Sequence, residues 1–354
     1  MALGKTRILY LGDLRPYGTC IQRMKALQDL GFSLVAVSST NKSIVRTETK
    51  LWNRIFRRIV GPSDLVGANA KIVNLSRTQN FNILWLDKAL TIKKTTIQEF
   101  KFSNPESLVC GYSGDDMKAP HNQSKRFLEH LPFYDVFFTT KSYGVKELEE
   151  MGCKKAFFIG NAFDPNTHRP LTISDDEKRT LGGGVGFIGT WEPQRAASIN
   201  YLADHGVPVR VWGTHWWKNK IGHKNLKIEN RPVYGDKYAM AICSFDINLC
   251  FLRKLNRDLQ TTRSVEIPAC GAFMLAERSD EHLELFREGV EAEFFGSDEE
   301  LLEKTRYYLV NPEKRRRIAF AGRQRCIESG YSNHEKLKQM LSIVLSGHLG
   351  TCLK

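Results

Sequence analysis

Short apolar runs alternate with helical patterns along most of the chain. RILYLG is followed by a glycine-containing loop and the amphipathic segment CIQRMKALQDLG, and the runs NILWLD, LVCGYS and DVFFTT continue the series. Apolar runs of strand length between helices are typical of βα units around parallel sheets. Gly31 follows the first helical pattern at the position where a left-handed residue commonly ends a helix. The pattern therefore predicts an α/β fold.

One polar segment interrupts this alternation. NAFDPNTHRP (161–170) contains two prolines, the acidic and glycine-rich TISDDEKRTLGGG follows it, and a new βα series opens at VGFIGT. We predict an N-terminal Rossmann-like domain at 1–170, a linker at 171–184, a second Rossmann-like domain at 185–330 and a C-terminal helix and tail at 331–354. Ligands of open parallel sheets bind at the carboxyl ends of the strands. We therefore expect the two domains to face a central cleft.

Composition restricts the partners. The 354 residues include 52 Lys and Arg against 39 Asp and Glu, a formal net charge of +13 that favours anionic ligands. Basic residues cluster after predicted strands rather than along one helix, which disfavours nucleic acid. No run approaches the roughly 20 apolar residues of a membrane span. The eight cysteines show no CxxC pair, so we expect reduced thiols and a cytoplasmic protein.

The loop RKLNRDLQTTRS (253–264) follows the predicted strand DINLCFL and carries cations and hydroxyls. A threonine is a good N-cap for a helix that begins near Arg263. A strand, a polar loop and a helix N-terminus together form a common anion site, so the segment predicts a diphosphate site. The expected contacts from this loop are Arg253, Lys254, Thr262, Arg263 and Ser264.

Two acids frame this loop. Seven residues separate Asp258 from Glu266, and ACG follows three residues after Glu266. Glu266 lies between Val265 and Ile267, where an unpaired charge would be costly, and a carboxylate can accept both hydroxyls of a vicinal diol. From the residues alone, Glu266 could equally be an exposed helix residue and Asp258 a solvated loop residue.

The pair and its context resemble the E-x7-E segment of retaining GT-B glycosyltransferases. This resemblance implies that Glu266 receives the ribose hydroxyls of a nucleotide and that Asp258, here in place of Glu, faces the donor sugar as a catalytic residue. VGFIGTWEPQR (185–195) is similar to the first strand and loop of the same family's C-terminal domain. It would place Gly189, Thr190 and Arg195 at the donor phosphates.

Further segments resemble the same family. EAEFFGS followed by a helix capped at Ser297 is similar to its C-terminal part, and the long helical stretch from Pro312 to Ser346 is expected to pack back toward the N-terminal domain. NAFDPNTHRP is similar to the interdomain pattern N-G-x-D-x-x-x-F-x-P, although His168 departs from it. The likeness is closest to the group-1-like branch of CgeB-like and spore-maturation proteins.

The resemblance implies transfer of a sugar from a nucleotide-diphosphate donor to a hydroxyl of a glycan, lipid-linked or protein acceptor. It further implies a retaining reaction, no metal and no cofactor beyond the nucleotide-sugar co-substrate, and a role in envelope, polysaccharide or spore-surface glycan synthesis. An inactive nucleotide- or sugar-binding protein of the same fold is the alternative, because Asp258 replaces Glu. A dinucleotide-dependent enzyme is disfavoured, since the first loop lacks G-x-G-x-x-G.

Two loops of the N-terminal half are candidates for the acceptor side. The resemblance places Gly12, Asp13 and Arg15 at the acceptor, against a plain role in a turn. In CGYSGDDMKAPHNQS we expect Asp116 or His121 to reach the donor sugar or the acceptor as catalytic groups. Alternatively the adjacent acids cap the next segment and His121 is an ordinary surface residue.

Residues 49–62, TKLWNRIFRRIVGP, combine apolar residues at helical spacing with four cations. That composition is typical of a helix lying on an anionic membrane surface. Packing of the apolar face on the protein's own sheet is the other interpretation.

Overall fold

The computed structural model describes residues 6–41, 61–219 and 221–349. Contacts divide these residues into two compact units. The first contains the described residues up to Gly160 together with those from Asn333 onward, and the second is Asn161–Ser332. The segment predicted as a linker includes a helix at Asp175–Leu181, and residues 161–170 belong by their contacts to the second unit.

Six parallel strands form the described sheet of the first unit, in the order β2-β1-β3-β4-β5-β6. The strands are β1 (Arg7–Gly12), β2 (Ser33–Ser38), β3 (Ile83–Asp87), β4 (Leu108–Ser113), β5 (Val136–Thr139) and β6 (Ala156–Phe158). The helices of its N-terminal part are α1 (Thr19–Asp29), α2 (Ala68–Thr78), α3 (Lys94–Ser103), α4 (Lys125–His130) and α5 (Gly144–Glu150). Gly31 has φ +86°, the left-handed conformation expected after α1.

Both faces of this sheet are covered. Successive residues of β1 belong to different cores, with Leu9 and Leu11 in one and Ile8 and Tyr10 in the other. Neighbouring side chains of a strand point to opposite faces, so a strand that is apolar throughout requires helices on both sides. This explains the continuous apolar runs in the sequence.

The second unit has the strand order β12-β11-β10-β7-β8-β9, again parallel. The strands are β7 (Gly183–Ile188), β8 (Val209–Trp212), β9 (Leu226–Ile228), β10 (Phe245–Cys250), β11 (Met274–Glu277) and β12 (Glu293–Phe295). The helices are α6 (Asp175–Leu181), α7 (Pro193–Asp204), α8 (Asp236–Ser244), α9 (Arg263–Ala269), α10 (Asp280–Leu285), α11 (Asp298–Leu309) and α12 (Pro312–Glu328). Counted within the unit, the order is 3-2-1-4-5-6, the Rossmann arrangement. The predicted α/β architecture with two Rossmann-like domains is confirmed.

The C-terminal helical stretch is two helices rather than one. Helix α12 ends at Glu328, Gly330 adopts φ +65°, and α13 (Asn333–Leu349) follows. Leu337, Met340 and Leu341 of α13 join the core face that contains Ile8 and Tyr10. The expected return of this segment to the N-terminal domain is confirmed, and the break at residues 329–332 is the point at which the chain leaves the second unit.

Within the described ranges no helix has the length and apolarity needed to cross a membrane. The candidate membrane helix at 49–62 lies outside the described residues, apart from Gly61 and Pro62.

Candidate functional site

The strand order of the second unit fixes where a ligand can bind. Adjacent strands β7 and β10 pair in parallel, and their connections run in opposite directions along the sheet. Ligands of such sheets bind at this switch point, beyond the carboxyl ends of the strands. The loop after β7 contains Gly189 and Thr190, and residues 251–262 follow β10. The sheet therefore brings together the two segments that the sequence singled out.

Arg195 and Arg263 both lie near one aromatic ring. Each guanidinium carbon lies 5.7 Å from the centre of the Phe187 ring, which is fully buried at the end of β7. The face of an aromatic ring attracts a cation, which stabilises each arginine there. Besides burial, the charge of Arg263 lowers the pKa of Arg195, so the two cations repel each other and the arrangement favours a nearby anion.

The donors of these arginines are not all used. Arg195 is only 4% exposed; its Nη1 donates to the Thr190 carbonyl at 3.2 Å, while its Nε and Nη2 are buried without a hydrogen-bond partner among the described residues. The Nε of Arg263 is buried and unpaired in the same sense. Burial and the neighbouring Arg263 lower the pKa of Arg195 to about 10, against the opposing effect of Glu192. Arg195 therefore remains a cation at neutral pH, with unsatisfied donors.

Another buried arginine of the same unit gives the contrast. Arg210 donates to Glu229 at 2.9 and 2.6 Å and to the carbonyl of Gly182 at 3.1 Å. A buried arginine normally has such partners. Arg195 differs from Arg210 because two of its nitrogens lack such partners.

Glu266 lies one turn into α9 and is 6% exposed. The Tyr238 hydroxyl donates to its Oε2 at 2.6 Å, and His168 Nε2 lies 3.7 Å from its Oε1. Burial and the Glu266 charge raise the pKa of Tyr238 well above its usual value, so the phenol remains a donor. The interpretation of Glu266 as an exposed helix residue is therefore wrong, whereas its role toward ribose stays a prediction.

The loop that contains Asp258 is held on several sides. Asn256 donates to Asp258 Oδ1 at 2.9 Å. Gln260 donates to Glu281 at 2.7 Å and accepts from the backbone and side-chain amides of Asn161 at 2.8 and 3.1 Å. Asp258 is itself buried, so it is not the solvated loop residue of the alternative interpretation.

Ser264 is directed into the protein. Its hydroxyl oxygen lies 2.7 Å from His282 Nε2 and accepts from the Thr261 amide at 2.9 Å. His282 Nδ1 lies 2.7 Å from the Glu277 carbonyl, which can only accept, so Nδ1 carries a proton. Burial lowers the pKa of His282, and the neutral ring accepts at Nε2 from the Ser264 hydroxyl. Ser264 therefore connects the loop to α10.

The start of α9 at Arg263 agrees with the sequence, but its cap differs. The Thr262 side chain makes no capping hydrogen bond. The amides of Ser264 and Val265 donate to the carbonyls of Thr261 and Thr262, both at 3.1 Å. Those amides are consequently engaged within the turn, so side chains rather than helix amides are the groups oriented for an anion.

Arg253 and Lys254 are paired with acids. Arg253 Nε donates to Glu192 at 2.8 Å, and Lys254 forms an ion pair with Glu277. Both cations neutralise nearby carboxylates, so they provide less positive charge for a ligand than the sequence suggests. A side chain at Gly189 would approach the Phe187 ring within 2.6 Å, which explains why glycine is required beside that ring.

The first unit places its candidate loop after β1, next to β3 in the sheet. A side chain at Gly12 would lie 2.9 Å from the Tyr10 ring. Asp13 accepts from Arg15 at 2.9 Å and from Thr40 at 2.7 Å. Burial raises the pKa of Asp13, but these hydrogen bonds outweigh it and the net pKa is below the usual value. Asp13 is thus an anion that orders its own loop.

Asp116 and His121 differ in their surroundings. Asp116 is buried, and its Oδ1 accepts from the amides of Lys118 and Ala119 at 3.1 and 3.3 Å. His121 is exposed. The contacts of Asp116 are those of a turn cap, as the alternative interpretation expects, while a catalytic role for either residue stays a prediction.

Comparisons with known proteins agree with this geometry. Residues 195–342 match the family described as glycosyl transferase-like (Glyco_trans_1_2), which covers the second unit from Arg195 onward and part of α13. The chain carries a glycosyltransferase-like domain. A search of curated protein sequences finds no significant match.

Solved structures share the fold of this chain over nearly its full length. Sucrose-phosphate synthase from Thermosynechococcus elongatus is 10% identical with a TM-score of 0.65, covering 97% of this chain and 100% of its own. Anabaena HepE in complex with UDP-glucose is 14% identical with a TM-score of 0.61, covering 96% and 99%. A glycosyltransferase from Rickettsia africae is 12% identical with a TM-score of 0.63, covering 96% and 97%. The predicted GT-B fold is confirmed.

Sequence reasoning missed one buried polar cluster of the GT-B chain. Arg23 donates to Asp87 through Nε at 2.7 Å and Nη2 at 3.1 Å, and the Tyr10 hydroxyl donates to the same carboxylate at 2.7 Å. Arg23 also lies 4.1 Å from the centre of the Tyr112 ring. An acid at the end of the apolar run NILWLD was the available signal. Across the described residues, no group of three or more His, Cys, Asp or Glu could hold a metal ion.

Proposed function

We propose that the protein transfers a sugar from a nucleoside diphosphate donor to an acceptor hydroxyl. One observation carries the proposal: the guanidinium groups of Arg195 and Arg263 both lie near the Phe187 ring, repel each other and have buried, unsatisfied donors. A buried donor without a partner costs about 1 to 3 kcal/mol. A diphosphate would supply acceptors to both arginines and neutralise their repulsion, which explains why such a costly arrangement is kept.

The same groups fit the chemistry of transfer. Cleavage of the bond between the sugar and the diphosphate leaves additional negative charge on the departing group. Fixed cations in a water-poor site stabilise charge that develops in a transition state. Arg195 and Arg263 would therefore both bind the donor and lower the barrier to its cleavage.

Glu266 is proposed as the ribose receptor. Tyr238 occupies one of its oxygens at 2.6 Å, and an ionised carboxylate offers about four acceptor positions. Two positions suffice for the vicinal hydroxyls of ribose. Asp258 is proposed as the acid facing the donor sugar. Burial lowers the pKa of Arg195, and the Asp258 carboxylate is near enough to that arginine to raise it.

Finer features of the proposal rest on the family likeness. These are retention of configuration, independence of metal and cofactor, and membership of the CgeB-like branch. We further propose a glycan, lipid-linked or protein acceptor in envelope, polysaccharide or spore-surface glycan synthesis, approached through the loop of Gly12, Asp13 and Arg15. The cations of residues 49–62 support a cytoplasmic protein attached to the inner membrane face.

Calorimetry with UDP, GDP, ADP and inorganic diphosphate tests the donor site. We expect one nucleoside diphosphate to bind at micromolar concentration and more tightly than inorganic diphosphate. Absence of binding by all four would overturn the proposal. Release of nucleoside diphosphate from the matching nucleotide-sugar then separates a transferase from an inactive binding protein, because the inactive protein binds the donor without cleaving it.

A further inference from the structure

His168 lies against the carboxylate that we assign to ribose. The residue is 4% exposed, and its Nε2 is 3.7 Å from Glu266 Oε1. Its ring meets the Tyr238 ring edge to face, with centres 5.7 Å apart and planes at 77°. Glu266 is thus flanked by Tyr238 at one oxygen and by His168 at the other.

The hydrogen bond at Nδ1 determines the tautomer of His168. The Asp164 amide donates to Nδ1 at 3.0 Å, so Nδ1 is an acceptor and the proton of the neutral ring is on Nε2. The N–H of Nε2 therefore faces Glu266. At 3.7 Å the contact is longer than a hydrogen bond, although such contacts commonly shorten when a ligand binds.

A short, internally bonded turn fixes the ring. The Thr167 hydroxyl donates to Asp164 Oδ2 at 2.6 Å, and the His168 amide donates to the Asp164 carbonyl at 2.7 Å. With the ring acceptor also engaged by Asp164, the imidazole has little freedom to turn away. Its direction toward Glu266 is built into the backbone.

We infer that His168 is a positioning residue that sets the orientation of Glu266 for the nucleoside part of the donor, an inference that rests on the proposed function. Tyr238 alone holds one carboxylate oxygen and leaves rotation about the last side-chain bond. A second donor at Oε1 fixes the carboxylate plane and occupies the inner acceptor positions. The two outer positions remain for the ribose hydroxyls.

The polar and charged residues around the contact between His168 and Glu266 lie on three segments of the second unit. Glu266 and Arg263 belong to α9, Tyr238 to α8, and Asp164 to the turn that carries His168. Arg195 and Arg263 would meet the phosphates rather than the ribose. Loss of the His168 donor should therefore weaken the binding of a nucleoside diphosphate and leave the binding of inorganic diphosphate unchanged.

Three substitutions separate the two ring nitrogens. His168→Gln keeps an N–H donor at the reach of Nε2, His168→Asn keeps an acceptor near Nδ1 for the Asp164 amide, and His168→Phe keeps the ring packing on Tyr238 and lacks both. Calorimetry on the full chain measures UDP, GDP, ADP and inorganic diphosphate for each. We expect the nucleoside diphosphate affinity to fall about tenfold in His168→Phe and His168→Asn and less than threefold in His168→Gln.

Inorganic diphosphate reports whether the rest of the site is intact. Unchanged binding of inorganic diphosphate, together with the tenfold loss in His168→Phe and His168→Asn and the retained affinity of His168→Gln, supports the inference. Full nucleoside diphosphate affinity in His168→Asn or His168→Phe would overturn it, because support of the turn or of the ring packing would then be sufficient. If the wild-type protein binds inorganic diphosphate but no nucleoside diphosphate, the proposed function fails, and the inference with it.

Discussion

The guanidinium carbons of Arg195 and Arg263 both lie 5.7 Å from the centre of the Phe187 ring. Like charges do not approach in a buried site unless something compensates them. The ring compensates in part, and Glu192, 4.0 Å from Arg195, contributes further. An anionic ligand would neutralise the remaining positive charge, and its effects on binding and stability can be measured.

Replacement of Arg195 should affect binding much more than folding. In Arg195→Met the apolar chain is retained and two unsatisfied donors are removed, so the free energy of unfolding without ligand should stay the same or rise. The stabilisation that a nucleoside diphosphate gives the wild type should disappear. Chemical denaturation with and without that nucleotide measures both quantities.

Arg210→Met is the matched control for this experiment. It breaks a buried pair with Glu229 at 2.6 Å and removes the donor to the Gly182 carbonyl. Breaking a buried pair costs about 3 to 5 kcal/mol, so this variant should lose stability and still bind nucleotide. Similar destabilisation by both substitutions would contradict the distinction between an unsatisfied and a satisfied arginine.

Glu266→Gln should selectively weaken recognition of the nucleoside. The amide is nearly the same size and can still accept from Tyr238 at one oxygen, but it presents an NH2 group where a ribose hydroxyl needs an acceptor. We expect nucleoside diphosphate affinity to fall at least tenfold, about 1.4 kcal/mol or more. Inorganic diphosphate should bind as before; a parallel loss for both ligands would place Glu266 at the phosphates instead.

Ser264→Ala distinguishes support of the loop from contact with the ligand. The substitution leaves the Thr261 amide and His282 Nε2 without their buried partner, which costs about 1 to 3 kcal/mol. Unfolding measured by denaturant should show that loss, whereas nucleotide affinity should change less than threefold. A stable variant with poor nucleotide affinity would show that Ser264 contacts the ligand after all.

Local signals in the sequence were enough for the fold and for the position of the loop. The apolar runs predicted both sheets because buried parallel strands are apolar throughout, and Gly31 marked the end of α1. Arg263 was chosen because it opens a helix after a polar loop, whereas Arg195 and Glu266 were chosen through the family resemblance. Arg195 lies in α7, which follows β7, and Arg263 and Glu266 lie in α9, which follows β10.

Interactions between residues far apart in the sequence could not be predicted from local patterns. Glu192 pairs with Arg253 and Glu277 with Lys254 across more than 20 residues, so two apparently free cations are compensated. His282 is 18 residues from Ser264 in the chain, and nothing in its local pattern indicates that it contacts the loop of residues 253–264. The stretch from Pro312 to Ser346 was treated as one helical segment, although the predicted domain boundary at residue 330 falls within the break between α12 and α13.

His130 should make the first unit sensitive to acid. Burial lowers the pKa of His130 to about 4, although a hydrogen bond to the Ala89 carbonyl partly offsets it. The unfolded chain takes up the proton first, near pH 6.5. The stability contribution of the neutral ring is therefore complete above pH 6.5 and falls as the pH drops from 6.5 to 4, by about 3 kcal/mol in total.

His130→Phe keeps ring packing against Phe127 and Tyr134, whose ring centres lie 5.5 and 5.4 Å away, and it should remove that part of the acid sensitivity. Hydrogen exchange of the β3 and β5 amides at pH 7, 5.5 and 4.5, compared between variant and wild type at each pH, measures the difference. The variant should be the less stable at pH 7, where it lacks the hydrogen bond to Ala89, and should gain on the wild type as the pH falls; a difference that does not change with pH would show that His130 titrates normally.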